Sequence, residues 1–198
     1  MTVATVWMMT SPSLRALTAT RLGALKFFTV DSNLLVGVAA LLMAVSQYRV
    51  LKGQKVKVAS WLYTFKLVAT VGVAITMLVT VFYLGFVVSS GYLSMFQGSN
   101  FFFHLIVPLL SIIVFMFFEK TDFIAFKCNF FSFIPLVLYG IYYAISVLTH
   151  MENGVVQKGY DWYQFFKIGA KSLMIVYPFF MGFAFLVSFT LWKVNKKK

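Results

Sequence analysis

The sequence predicts an all-α integral membrane protein, a helical bundle with about five transmembrane helices. Of the 198 residues, 61% are hydrophobic and 11% are charged, whereas a soluble domain is about 45–50% apolar and about 25% charged. The chain also contains long stretches without a single charge, and about 20 apolar residues form a helix that crosses the hydrocarbon core. Helices are predicted because they satisfy their own backbone polar groups in lipid.

The charged residues mark where each span begins and ends. Asp31 lies in the first turns of the first span, and the polar stretch 91–100 divides a long uncharged region into two spans. No charged residue is expected deep within a span, which argues against a proton pump or an ion-driven transporter. The predicted spans cover 27–48, two segments within 67–118, 128–151 and 172–192.

The basic residues predict the orientation of the transmembrane domain, residues 27–192. Four basic residues lie in the loop 49–57, and the C-terminal tail 193–198 is basic as well. By the positive-inside rule both segments are cytoplasmic, and the loops 91–100 and 150–171 lie outside. We therefore expect a multi-pass protein of the plasma membrane with a cytoplasmic C-terminus.

The N-terminal tail, residues 1–26, does not follow this rule. It carries three basic residues, although five spans place it on the outer side. We expect either an interfacial helix in this tail or the remainder of a further transmembrane helix in front of the first span.

The net charge of +12 would indicate nucleic acid binding in a soluble protein. Here the basic residues lie in short segments between apolar runs, so membrane lipids are the expected partners and nucleic acid is not. Cys128 is the single cysteine, so neither an intrachain disulfide nor a cysteine-based metal site can form. No cofactor and no metal site are predicted, and protein partners stay open.

A first group of polar residues lies at the start of the first span, where each needs a partner or a role. Thr29, Ser32 and Asn33 share one helix face because they are spaced three and four residues apart. Asp31 points elsewhere, toward Lys26 or toward water. The group either caps the first helix, as these residue types often do, or forms a functional site.

A second group begins the third span. Ser99 or Asn100 is expected to cap this helix, and His104 lies one turn further on, on the face shared with Asn100 and Pro108. A helix N-terminus disfavours a protonated imidazole, so a neutral His104 can serve as a general base. The alternative is a hydrogen bond between helices that only fixes their packing.

A third group lies in the loop 150–171. His150 and Glu152 are two potential metal ligands, which is a weak signal for a site. Asp161, Trp162 and the neighbouring aromatic residues are typical of a membrane interface. The simplest interpretation of this segment is a solvated loop.

Short motifs in residues 28–35, 98–108, 117–119 and 161–163 resemble a group of uncharacterised bacterial multi-pass membrane proteins. The likeness extends over residues 26 to 193. More distantly, the pattern is similar to the androgen-induced and androgen-dependent TFPI-regulating protein family. Members of that family are membrane-embedded threonine hydrolases that act on fatty acid esters of hydroxy fatty acids.

This resemblance implies that Thr29 is a nucleophile, that His104 is its base and that Asn100 supports them. It also implies a lipid ester substrate that enters from the outer leaflet, and six spans, of which the first is missing or reduced here. The remaining candidate binding or supporting residues are Asp31, Ser32, Asn33, Asp161 and Trp162.

Two functions are therefore open at this point. The first is an intramembrane lipid-ester hydrolase, which requires the Thr29 hydroxyl within hydrogen-bonding reach of His104, or one water away, and facing a pocket. The second is a non-catalytic membrane protein, which is a small-molecule carrier, a lipid binder or a partner subunit. In that case Thr29, Asn33, Asn100 and His104 form a polar cluster that fixes helix packing.

Overall fold

The computed structural model describes residues 21–54, 57–88, 91–166 and 173–196. The described part is an all-α bundle in which five helices are long and apolar enough to cross a membrane. This confirms the predicted fold class and the predicted number of spans. The helices are α1 (Phe28–Leu51), α2 (Ser60–Val87), α3 (Ser99–Phe118), α4 (Phe126–Thr149) and α5 (Leu173–Asn195).

Short elements connect these helices. The 3-10 helix Arg21–Lys26 precedes α1, and a second, Tyr92–Phe96, lies between α2 and α3. A two-stranded antiparallel hairpin of β1 (Met151–Glu152) and β2 (Val155–Val156) follows α4. The predicted interfacial or reduced first helix lies outside the described residues, apart from the segment that includes Arg21–Lys26.

The second helix is the centre of the bundle and contacts the other four. Within its most apolar stretch 61% of the residues are buried, against 17% in α4 and in α5. The apolar faces that α4 and α5 leave exposed suit the lipid of a membrane, because hydrocarbon does not disfavour exposed apolar side chains. Glycine allows α1 and α2 to approach closely, since a Cβ atom at Gly72 would lie 3.3 Å from the Ser32 Cβ atom.

The two ends of the bundle differ in chemistry. The Thr29 end contains the start of α1, the start of α3 and the loop from His150 to Phe166. The Glu119 end contains the end of α3 and the end of α5, where the Asn195 side chain donates to the Phe115 and Glu119 carbonyls.

At the Glu119 end, the prediction that no charged residue lies deep within a span was wrong. Helix α2 begins at Ser60, so Lys66 lies about two turns inside it. The Lys66 Nζ atom is 3.6 Å from the Glu119 Oε1 atom, and the two side chains are only 4% and 7% exposed. The helix continues through this charge because the opposite charge compensates for part of the cost of burying it.

Candidate functional site

A cavity opens between α1, α2, α4, α5 and the loop before α5. Its volume is about 90 Å³, and it is partly open to the outside. Apolar and aromatic side chains such as Leu136 and Phe180 form most of its wall. Thr29, Tyr139 and Tyr163 are also among the residues that line it, so hydroxyl-bearing side chains border an almost entirely apolar wall.

The face predicted for α1 is confirmed, since Thr29, Ser32 and Asn33 are all buried. Ser32 Oγ lies 3.0 Å from the Thr76 Oγ1 atom on α2 and 3.2 Å from the Thr29 carbonyl. The Asn33 Nδ2 atom donates to the Thr29 carbonyl at 2.7 Å and to the Phe103 carbonyl on α3 at 3.3 Å. These side chains therefore connect α1 to both of its neighbours.

The cap of α1 comes from elsewhere in the chain. Phe27 occupies the N-cap position, and its side chain makes no capping hydrogen bond. The hydroxyl group of Tyr163 accepts the Phe28 N–H at 2.9 Å, so it satisfies one of the backbone donors that a helix start leaves free. The interpretation of Thr29, Ser32 and Asn33 as a cap was wrong, because Phe27 is the N-cap residue, and the Ser32 and Asn33 side chains bond across helices and to the Thr29 carbonyl.

Tyr163 is fully within the protein interior and is hydrogen-bonded on several sides. Burial raises the pKa of its phenol to about 12, although hydrogen bonds with Tyr139 and with the Phe28 and Thr29 residues lower it. The hydroxyl therefore stays protonated at neutral pH, and it acts as a hydrogen-bonding group rather than as a base.

The loop around Asp161 and Trp162 packs on α4. The simplest interpretation, a solvated loop, was therefore wrong for this part of the segment. Trp162 Nε1 donates to the Tyr139 hydroxyl at 3.0 Å, and that hydroxyl donates to the Lys26 carbonyl at 2.7 Å. The Tyr143 hydroxyl donates to Asp161 Oδ1, and Asp161 Oδ2 accepts the Phe166 N–H at 3.0 Å. Sequence reasoning named Asp161 and Trp162.

The tyrosines that these residues contact were missed. Their spacing on α4 was the available signal, because Tyr139 and Tyr143 lie four residues apart and therefore share a helix face.

The other part of this loop does not form a metal site. The His150 ring stacks on Tyr160 with 3.5 Å between ring centroids, and its Nδ1 atom lies 2.8 Å from the Ser146 carbonyl. Glu152 is exposed and accepts a hydrogen bond from Gln157 at 2.7 Å. No cluster of three potential metal ligands occurs in the described ranges of the chain.

His104 is buried in a π-helical turn of α3, Phe102–Ile106. Its Nδ1 atom lies 2.8 Å from the Met95 carbonyl, and because a carbonyl only accepts, Nδ1 carries the proton. The neutral ring then has its lone pair on Nε2. In a π-helical turn, each carbonyl accepts a hydrogen bond from the N–H five residues further on. For the Phe103 carbonyl that residue is Pro108, which has no N–H. The Phe103 carbonyl instead accepts a hydrogen bond from the Asn33 Nδ2 atom.

Ser99 and Asn100 do not cap α3, contrary to the prediction. Gly98 is the N-cap residue, and no side chain caps the helix there. Both residues are buried, and the Ser99 hydroxyl and both amide atoms of Asn100 have no hydrogen-bond partner among the described residues. The Asn33 Oδ1 atom on α1 is equally unpartnered among the described residues.

Thr29 and His104 lie in neighbouring turns, but no hydrogen bond joins their side chains in the described part of the chain. Asn33 connects the two turns, since it bonds to the Thr29 carbonyl and to the carbonyl just before His104. Thr29 lines the cavity, whereas His104 is not among the residues of its wall. The joint catalytic role of these two residues stays a prediction.

Asp31 stands apart from this cluster, as the sequence analysis expected. It is half-buried and lines a second cavity, which lies between α1, α2 and α4. The Lys26 ammonium lies 5.1 Å from the Phe27 ring centroid and 5.4 Å from that of Trp162. The predicted contact between Asp31 and Lys26 is therefore not formed.

No family model, no curated protein and no solved structure matches this chain.

Proposed function

We propose that this chain is a non-catalytic membrane protein that binds a lipid acyl chain in the cavity beside Thr29. One observation carries this proposal: the cavity lies between helices apolar enough to cross a membrane, is partly open to the outside, and has an almost entirely apolar wall. An acyl chain matches such a wall, and Thr29 and Tyr163, which line the cavity at the Thr29 end, carry hydroxyl groups suited to a carboxyl or ester head. Following the basic residues of the 49–57 loop and the C-terminus, this end faces the outside of the plasma membrane.

The experiment is photolabelling of the purified full chain in dodecyl maltoside with a diazirine-bearing fatty acid. We expect labelled peptides from α4 and α5 that contain cavity residues. Leu136→Trp fills the cavity and is expected to reduce labelling several-fold. Ile134→Trp is the matched control, because Ile134 lies on the same helix but is exposed and does not line the cavity. Equal labelling in both variants would contradict the proposal.

A lipid-ester hydrolase is the second candidate, and the tautomer of His104 favours it. With the proton on Nδ1, the Nε2 lone pair can accept the Thr29 hydroxyl proton as Thr29 attacks an ester carbonyl. The ester C–O bond then breaks, the protonated His104 gives its proton to the leaving alkoxide, and the alcohol departs. Water, with its proton taken by His104, hydrolyses the acyl-threonine to the free acid and restores the Thr29 hydroxyl. Catalytic hydrogen bonds often form only in the substrate complex, and Asn33 already holds the two turns side by side.

Turnover of a fatty acid ester of a hydroxy fatty acid tests this candidate. Thr29→Ala and His104→Gln are each expected to lower the rate by about 100-fold or more. Thr80→Ala removes another hydroxyl from the same cavity and is expected to leave the rate nearly unchanged. Fatty acid labelling without any ester turnover by the unchanged protein would leave binding as the function.

A further inference from the structure

The carboxylate of Asp31 lies in a groove that is separate from the cavity described above. The groove has a volume of about 380 Å³ and lies between α1, α2 and α4, at the Thr29 end of the bundle. Phe28 and Tyr139 line both spaces, and their ring centroids are 5.1 Å apart. This aromatic pair is therefore a wall between the cavity and the groove.

The Asp31 carboxylate has no hydrogen-bond or ion-pair partner among the residues described. The nearest basic residue in sequence, Lys26, holds its ammonium against the Phe27 and Trp162 rings instead. A carboxylate inside a membrane-spanning helix is costly when it is unpaired, and such residues usually face a partner or a ligand. The helix N-terminus supplies only a partial compensating charge.

The groove wall indicates which ligand would compensate for this charge. Tyr139 and Tyr142, whose ring centroids are 5.9 Å apart, line the same groove as Asp31, and ring faces attract cations. Apart from Ser32, the rest of the wall, including Leu35 and Leu138, is apolar. A phospholipid headgroup fits poorly, because no lysine, arginine or histidine lines the described groove to bind its phosphate.

We propose that this groove binds a cationic amphiphile, an alkyl chain that carries one amine or quaternary ammonium group. The cation pairs with Asp31 and lies against the tyrosine rings, and the alkyl chain follows the apolar wall toward Leu35 and Leu138. This site is independent of the acyl-chain cavity and of the hydrolase candidate.

The experiment measures equilibrium binding of radiolabelled dodecyltrimethylammonium to the full chain in dodecyl maltoside. Asp31→Asn removes the charge at nearly constant shape, and we expect binding about tenfold weaker or more. Tyr142→Leu removes one ring face and is expected to weaken binding about two- to fivefold. Asp122→Asn is the matched control, because Asp122 is exposed at the Glu119 end. This variant should bind dodecyltrimethylammonium as tightly as the unchanged protein.

Competition provides a readout that does not depend on the folding of any variant. Unlabelled dodecylamine is expected to displace the probe from the unchanged protein, whereas dodecanol, which has the same chain without a charge, is not. Equal displacement by dodecanol would overturn the proposal, as would equal binding by the Asp31 and Asp122 variants. Displacement by dodecylamine alone, lost in Asp31→Asn, would support it.

Discussion

Replacing Tyr163 with phenylalanine should destabilise the bundle, because one hydroxyl holds the start of α1. This hydroxyl accepts the Phe28 N–H at 2.9 Å and is hydrogen-bonded to the Thr29 and Tyr139 side chains. Phenylalanine keeps the ring and leaves a partly buried backbone donor without this partner, which costs about 1–3 kcal/mol. For a protein of this size, that cost corresponds to a melting temperature lower by about 2–10 °C.

The assay is thermal unfolding of the purified protein in dodecyl maltoside. Tyr142→Phe is the control, since the Tyr142 side chain is 48% exposed and removal of an exposed hydroxyl usually changes stability by less than about 0.5 kcal/mol. A double-mutant cycle with Tyr139→Phe should show coupling of about 0.5–3 kcal/mol, because the two hydroxyls share hydrogen bonds. Equal melting temperatures for the Tyr163 and Tyr142 variants would refute the assigned capping role.

Three further predictions concern helix contacts. Lys66→Met leaves Glu119 buried without its ion-pair partner and should lower the free energy of unfolding by about 3–5 kcal/mol. Adding Glu119→Gln should restore much of this stability. A double variant no more stable than Lys66→Met would contradict this prediction. Burial raises the pKa of Glu119 above its ordinary 4.5, although Lys66 opposes this effect. The contribution of Glu119 to the free energy of unfolding should therefore increase as the pH falls from neutral toward 4.5. In thermal unfolding, Glu119→Gln should abolish this pH dependence. Gly72→Val introduces bulk where a Cβ atom already lies 3.3 Å from Ser32 and should cost about 1–3 kcal/mol, measured against Gly182→Ala, which meets no atom within 4 Å.

The sequence by itself determined the fold class and the approximate bounds of the five spans. Hydrophobicity and charge spacing decide these features locally, because lipid accepts about 20 apolar residues as a helix whatever its neighbours are. Helical spacing also placed Thr29, Ser32 and Asn33 on one buried face. The start of α2 was predicted after Lys66, although Lys66 lies within the helix. Its ion-pair partner, Glu119, lies 53 positions later in the chain, and no local pattern connects the two residues.

Only the tertiary structure decided what the polar residues do. The cap of α1 comes from Tyr163, which follows Phe28 by 135 positions, and the π-turn at His104 turns its Nδ1 atom to the Met95 carbonyl. Thr29 and Asp31 lie two residues apart, yet the first lines the cavity and the second lines the groove. A hydrogen bond between distant residues depends on how helices pack, and packing depends on side chains from several helices together, so the local sequence determines where a helix lies but not which neighbour its polar groups meet.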